Sequence, residues 1–203
     1  MKKVITLITA AIICCPGILM GQEDKRAATP QISKEEITMI KAWEDYATPG
    51  NEQKQLAMDD GQWDEATTMW SAPGAAPVQN KMIAVNTMIL GGRYQQSVHR
   101  GNLAGQPFEG ISIVAYDKVK KAYISTWIDN MGTGIMIMEG SYDEKTKSIK
   151  FNGKQVDPVS GKELEVREIF TMVDDITRKM EMFQKPLMGK EFKTMEIIMT
   201  RKK

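Results

Sequence analysis

From about Trp63 to Arg201 the chain alternates apolar and polar residues, and turn-forming residues interrupt the alternation at roughly ten-residue intervals. A side-chain period of two belongs to strands that bury one face. Strands are predicted at Trp63–Ser71, Gln79–Leu90, Arg93–Gly101, Phe108–Asp117 and Ala122–Asp129. They continue at Gly132–Tyr142, Ser148–Val156, Glu163–Val173, Thr177–Lys185 and Glu191–Arg201. The breaks carry their own chemistry: Gly91-Gly92, Asn130-Met131-Gly132, Asp157-Pro158 with Gly161, Asp174-Asp175, and Pro186 with Gly189. About ten strands with short links and no crossover helix exclude a parallel sheet. An open antiparallel sheet of that size curls or splits, and closure removes its edges. The expected fold is all-β with N-terminal helices: an antiparallel up-and-down β-barrel of about ten strands over residues 61–203. A two-sheet sandwich is the alternative.

The segment before the strands divides in three. Met1-Lys2-Lys3 and the apolar run Val4–Met20 have the form of a secretory signal over residues 1–21, with cleavage expected after Gly21. The run holds Pro16 and Gly17 and is short for a membrane span, so an uncleaved anchor is the weaker alternative. Ile12 and Ile13 stand before Cys14 where a lipidation motif wants a small residue, which argues against a lipoprotein. The expected location is therefore periplasmic or secreted. Residues 22–32 read as a polar tether, and residues 33–60 as two helices. Ser33 with Glu36 spells a capping box, Ile32 and Ile37 a hydrophobic staple, and Pro49-Gly50 a stop.

Charge and cysteine content remove whole classes of function. Lys plus Arg number 27 against 26 Asp plus Glu, and no basic run is interleaved with aromatics, so no nucleic-acid partner is expected. Both cysteines, Cys14 and Cys15, lie in the signal segment, so the processed chain has no disulfide and no thiolate metal site. Stability must come from burial, for which a hydrophobic content of 42% suffices.

Register decides which face looks inward. Pairing Tyr116 with Tyr123, Trp127 with Gly134 and Tyr142 with Ile149 collects Phe108, Ser112, Val114, Trp127, Met136, Met138 and Phe151 on the same face. Glu139, Ser141, Lys150, Asn152 and Lys154 mark the opposite face as external. That outer face also carries Ile111, Ile113, Ile124, Ile128, Ile135 and Ile137, an apolar patch to be covered or used. The N-terminal helix is expected to pack there; an interface with a partner or a second copy is the other use.

Particular strings point to a family. Ile89-Leu90-Gly91-Gly92-Arg93-Tyr94, Gly105-Gln106-Pro107-Phe108-Glu109-Gly110 and Tyr116-Asp117 lead to Ser125-Thr126-Trp127-Ile128-Asp129-Asn130-Met131-Gly132-Thr133-Gly134. With the ending Met195-Glu196-Ile197-Ile198-Met199-Thr200-Arg201, they resemble the bacterial family catalogued as domain of unknown function 1579, over about Glu52 to Arg201. The resemblance implies a lipocalin-like, calycin-type barrel in an exported or envelope-associated protein, and it brings no catalytic residues. Gly61-Gln62-Trp63 further resembles the Gly-x-Trp opening of lipocalins, where an Arg from a late strand covers the Trp. Trp63 and Arg201 are thus expected to meet and close one end of the barrel.

Reactive chemistry is sparse. His99 is the only histidine, which rules out a multi-histidine metal site and leaves an axial haem ligand as its one cofactor role. Its place beside Arg100 near a strand end predicts a surface position, and no cofactor or metal is expected. No phosphate-binding loop or nucleophile elbow occurs. If Asp174-Asp175 is a two-residue turn, Glu168 faces Glu181 inside the barrel, with Lys179, Phe170 and Phe183 on the same side. Paired carboxylates could do acid–base work, with a neutralised network as the plainer account. An enzyme is therefore the third reading, behind two others.

Methionine numbers 16, and Met136 and Met138 share the interior face with Trp127 and the polar Ser112, Ser125 and Asp129. Thioethers line adaptable apolar sites, and a purely structural core has little use for hydroxyls and a carboxylate. The favoured reading is a barrel that binds a small, largely apolar molecule. Its wall would be Phe108, Val114, Tyr123, Trp127, Met136 and Met138, with Asp129 or Glu181 as polar anchor. The alternative is an envelope interaction protein with a solid core and a working Ile-rich outer face.

Overall fold

A computed structural model of the chain describes residues 32–103 and 105–203. The signal segment and nearly all of the tether lie outside the described residues. Two helices, α1 (Lys34–Ala47) and α2 (Asn51–Ala57), precede ten strands. The strands are β1 (Gly61–Met69), β2 (Val78–Ile89), β3 (Tyr94–Leu103), β4 (Gln106–Asp117) and β5 (Ala122–Asp129), then β6 (Met136–Asp143), β7 (Ser148–Val156), β8 (Glu163–Met172), β9 (Thr177–Lys185) and β10 (Phe192–Arg201). Each pairs antiparallel with its neighbours in sequence, and β10 pairs with β1 to close the barrel. The sandwich is excluded. Trp63 stands opposite Arg201 in the closing register.

The two helices behave differently. α1 begins with the capping box: Ser33 Oγ accepts from Glu36 N–H at 3.1 Å, and Glu36 Oε2 accepts from Ser33 N–H at 2.8 Å. Yet every residue of α1 is exposed, including Ile37, Ile40 and Trp43. It does not cover the Ile-rich outer face, which corrects that expectation. Ile111, Ile113 and Ile124 are half-buried among their neighbours, while Ile128, Ile135 and Ile137 stay exposed. A stable cap does not require a tertiary partner, so the local signal said nothing about docking.

α2 is the element that plugs the barrel. Its Leu56 enters one end and packs with Tyr123, Met138, Ile149, Phe151 and Val166. Gln53 Nε2 donates to the Tyr116 carbonyl at 3.1 Å, and the Tyr123 hydroxyl donates to Gln55 Oε1 at 2.9 Å. A second cluster joins Trp63, Ala84, Met180, Ile197 and Met199 across the closing seam.

Two registers differ from expectation, with opposite consequences. Trp127 pairs with Met136 rather than Gly134, because residues 130–135 form a longer link. The shift is even, so the interior set from β4 to β7 keeps its face. The link between β8 and β9 is longer by one residue: Val173 N–H donates to the Thr177 carbonyl, and Glu168 pairs with Met182. An odd shift exchanges faces, so Arg178, Met180 and Met182 of β9 point inward and Glu181 points outward.

Candidate functional site

The end plugged by α2 is tightly built. The Arg201 guanidinium carbon lies 4.3 Å from the Trp63 ring centroid, within cation–π range. Trp63 Nε1 donates to the Asp59 carbonyl at 2.8 Å, and Arg201 donates to the backbone carbonyls of Asp60 and Met58. Beneath them Arg178 meets the buried Asp59 carboxylate at 2.7 Å. Burial pushes the Asp59 carboxyl up, and the Arg178 guanidinium pulls it back. At the rim beside α2 a cleft of about 290 Å³ opens between Glu52, Tyr116, Tyr123 and Tyr142. Burial, with Glu52 nearby, pushes the Tyr116 and Tyr123 hydroxyls above their usual range. The bond from Tyr123 to Gln55 ties the helix to the wall between cleft and lumen.

The proposed wall residues divide between this plug and the opposite half of the barrel. Tyr123 and Met138 are fully buried under Leu56 and belong to its packing. Val114 and Met136 lean on that cluster while keeping accessible surface. Trp127 and Phe108 stack at a centroid distance of 6.4 Å in the half away from α2. Asp129 is near them, but its Oδ2 accepts from Trp127 Nε1 at 2.7 Å and its Oδ1 from Met131 N–H at 2.9 Å. It positions Trp127 and closes a loop before it can anchor anything else.

Glu181 is not an interior anchor. It faces outward and pairs with Lys179 at 3.1 Å and Lys193 at 3.2 Å, in a network completed by Glu196. Phe183 is external too, under the Arg167 guanidinium. Glu168 alone of the supposed pair faces the lumen, so the two carboxylates cannot act together. Among the described residues Glu168 has no hydrogen-bond or ion-pair partner, and burial pushes its pKa up to about 7. Its backbone stands opposite Phe151 and Met182 in the barrel wall, and the residue is half-buried, keeping some accessible surface.

His99 is not on the surface, as its place next to Arg100 had suggested. It points inward, 9% exposed, and its Nδ1 lies 3.1 Å from both Glu65 carboxylate oxygens. Glu65 is itself fully buried between Trp63 and Thr67 on β1. The imidazole meets the Trp127 ring edge-on at 5.1 Å. Thr67 pairs with Asn80 across β1 and β2, and both point inward. Thr67 Oγ1 and Asn80 Nδ2 are buried and have no hydrogen-bond partner among the described residues. Glu65, Thr67 and Asn80 escaped sequence reasoning. A signal existed: alternation from Trp63 places Glu65 and Thr67 on the Trp63 face. Among the described residues no group of His, Cys, Asp or Glu is arranged to hold a metal ion.

The family described as "Protein of unknown function (DUF1579)" matches residues 48–201. No curated protein matches the chain. Among solved structures it is similar to the crystal structure of Rv2717c from M. tuberculosis, with a TM-score of 0.59 at 12% identity. That likeness covers 77% of this chain and 100% of the other, and at such identity it speaks for the fold alone.

Proposed function

The chain belongs to the DUF1579 family, whose description assigns no activity, and from the interior just described we propose that the barrel holds a small, largely apolar molecule in the half away from α2. The observation that carries this reading is that two of the four buried side-chain groups without a hydrogen-bond partner among the described residues, Thr67 Oγ1 and Asn80 Nδ2, stand opposite each other on the β1–β2 wall away from α2. Leaving such a group without a partner costs on the order of 1–3 kcal/mol, so an interior that only had to be stable would have apolar residues there. Trp127, Met136, Val114, Phe170 and Met182 also point inward while retaining accessible surface, which fits a lumen that is not filled. Native mass spectrometry of the purified protein is expected to reveal a bound small molecule. Titration with an apolar panel is expected to change tryptophan emission, and Trp127→Phe to abolish that change with the fold intact. Absence of both signals overturns the reading.

A second reading draws on the outer face. Ile128, Ile135 and Ile137 are exposed beside half-buried Ile111, Ile113 and Ile124, and the apolar stripe of α1 is exposed as well. We propose that two copies associate through these surfaces in the cell envelope. Sedimentation of the wild type against Ile137→Glu tests it; a wild type that is monomeric at high concentration ends it. Export rests on the signal-like residues Met1 to Gly21, and the amino-terminal sequence of the mature protein tests that. Among the described residues no helix is long and apolar enough to cross a membrane.

A further inference from the structure

The rim cleft beside α2 brings an acid, a base and three aromatic rings together, and neither charge has a partner among the described residues. Tyr116 and Tyr123 stand opposite each other across β4 and β5, with ring centroids 5.0 Å apart. Tyr123 stands opposite Gly140 of β6, and Tyr142 follows two residues later on the same face. The three tyrosines are therefore neighbours at one corner of the barrel end, and all three line the cleft of about 290 Å³. Glu52 lines it from α2, close enough to help push the Tyr116 and Tyr123 hydroxyls up. Its side chain is half-buried, yet it makes no hydrogen bond or ion pair with any described residue. Of the lysines in the turn between β4 and β5, Lys118 donates to the Asp45 and Thr48 carbonyls, and Lys120 pairs with Glu139 at 3.5 Å. Lys121, which lines the cleft, pairs with no described residue, Glu52 included.

Two unpaired charges of opposite sign in one cleft disfavour most ligands. A simple anion meets Glu52, a simple cation meets Lys121, and an uncharged apolar molecule strips water from both without replacing it. A zwitterion answers each charge with its opposite. The rings narrow its cationic end. A quaternary ammonium has no N–H to satisfy, so aromatic rings can hold it where an ordinary ammonium needs three acceptors. One of the acceptors at hand, Gln55 Oε1, is already taken by the Tyr123 hydroxyl at 2.9 Å. We propose that the cleft binds a small zwitterion of the betaine class, its quaternary ammonium against Tyr116, Tyr142 and Glu52 and its carboxylate toward Lys121. Tyr123, almost fully buried and tied to Gln55, forms the floor. The site lies outside the lumen, so it stands whether or not the barrel holds an apolar molecule.

Three probes of nearly one shape test this by calorimetric titration of the purified protein: glycine betaine, choline and 3,3-dimethylbutanoate. Choline keeps the ammonium and lacks the carboxylate, whereas the dimethylbutanoate keeps the carboxylate and carries a neutral tert-butyl group. Glycine betaine is expected to bind at least about tenfold tighter than the dimethylbutanoate and at least about threefold tighter than choline. Glu52→Gln should weaken glycine betaine at least about fivefold, and because Glu52 has no described partner to lose, the urea midpoint should not move. Lys121→Gln should remove the preference over choline and leave choline bound no more weakly. No measurable binding of glycine betaine overturns the proposal, as does equal binding of the dimethylbutanoate. Unchanged affinity in Glu52→Gln overturns it too. So does choline binding the wild type as tightly as glycine betaine, or a preference over choline that survives Lys121→Gln.

Discussion

Arg178 of β9 directs both Nε and Nη2 at one oxygen of Asp59, at 2.8 and 2.7 Å, in a site where both side chains are almost wholly buried. The residues are far apart in sequence, and their contact fixes the segment after α2 to the inside of the barrel. Asp59→Asn removes the countercharge and leaves a buried guanidinium without compensation. We expect a loss of about 3–5 kcal/mol in urea unfolding. Adding Arg178→Met should restore part of it, because the uncompensated charge is then gone. A single variant that loses less than about 1 kcal/mol would show that the pair is not structural.

Gly110 controls the placement of Trp127. A Cβ at Gly110 would lie 2.6 Å from both Cη2 and Cζ2 of the Trp127 ring, closer than packed carbon atoms approach. Gly110→Ala should therefore displace the indole, shift its emission and cost about 1–3 kcal/mol. Unchanged emission in the Trp127-sensitive signal would mean that the ring has room to move aside.

Glu168 gives a pH dependence with a definite sign. Its carboxyl is raised from 4.5 in an unfolded chain to about 7 in the barrel. Between these values the folded state holds a proton that the unfolded state has released, so this group's contribution falls as pH rises from 4.5 to about 7. Glu168→Gln removes the dependence. We expect the variant to match the wild type near pH 5 and to exceed it near pH 8 by about 1–3 kcal/mol, the surface left to Glu168 in the lumen keeping the figure modest. A wild type and variant that differ equally at both pH values would contradict this.

The two helices should respond in opposite ways to change. Deleting residues 1–47 removes α1, all of it exposed, and should alter stability by no more than about 0.5 kcal/mol. Leu56→Ala in α2 empties part of the plug and should cost about 2–5 kcal/mol. Comparable denaturation midpoints for the two variants would refute this division of roles.

The strand series was legible because alternation and turn chemistry agreed along most of the chain. The even slip at Trp127 did no harm to the facing of Met136 and Met138, whereas one extra residue between Val173 and Thr177 sent Glu181 outward. Turn length is set by backbone hydrogen bonds such as Val173 to Thr177, which Asp174-Asp175 does not specify. His99 was misplaced for a different reason. Along β3 the inward residues are Gln95, Ser97 and His99, while Val98 points out, so the usual polarity of the alternation is inverted. A polar lumen hides from a rule that equates apolar with inside. The unpaired stripe of α1 shows the complementary limit: amphipathic pattern identifies a face without naming what it meets.

The closing seam also orders events in time. Trp63 is among the first strand residues made and Arg201 is at the end of β10, so ribosomal synthesis exposes β1 long before its second partner exists. Its outer hydrogen-bonding edge stays open for that whole interval, which favours slow maturation and dependence on holdase chaperones. Truncated translation products ending before β10 would be aggregation-prone fragments, not smaller barrels.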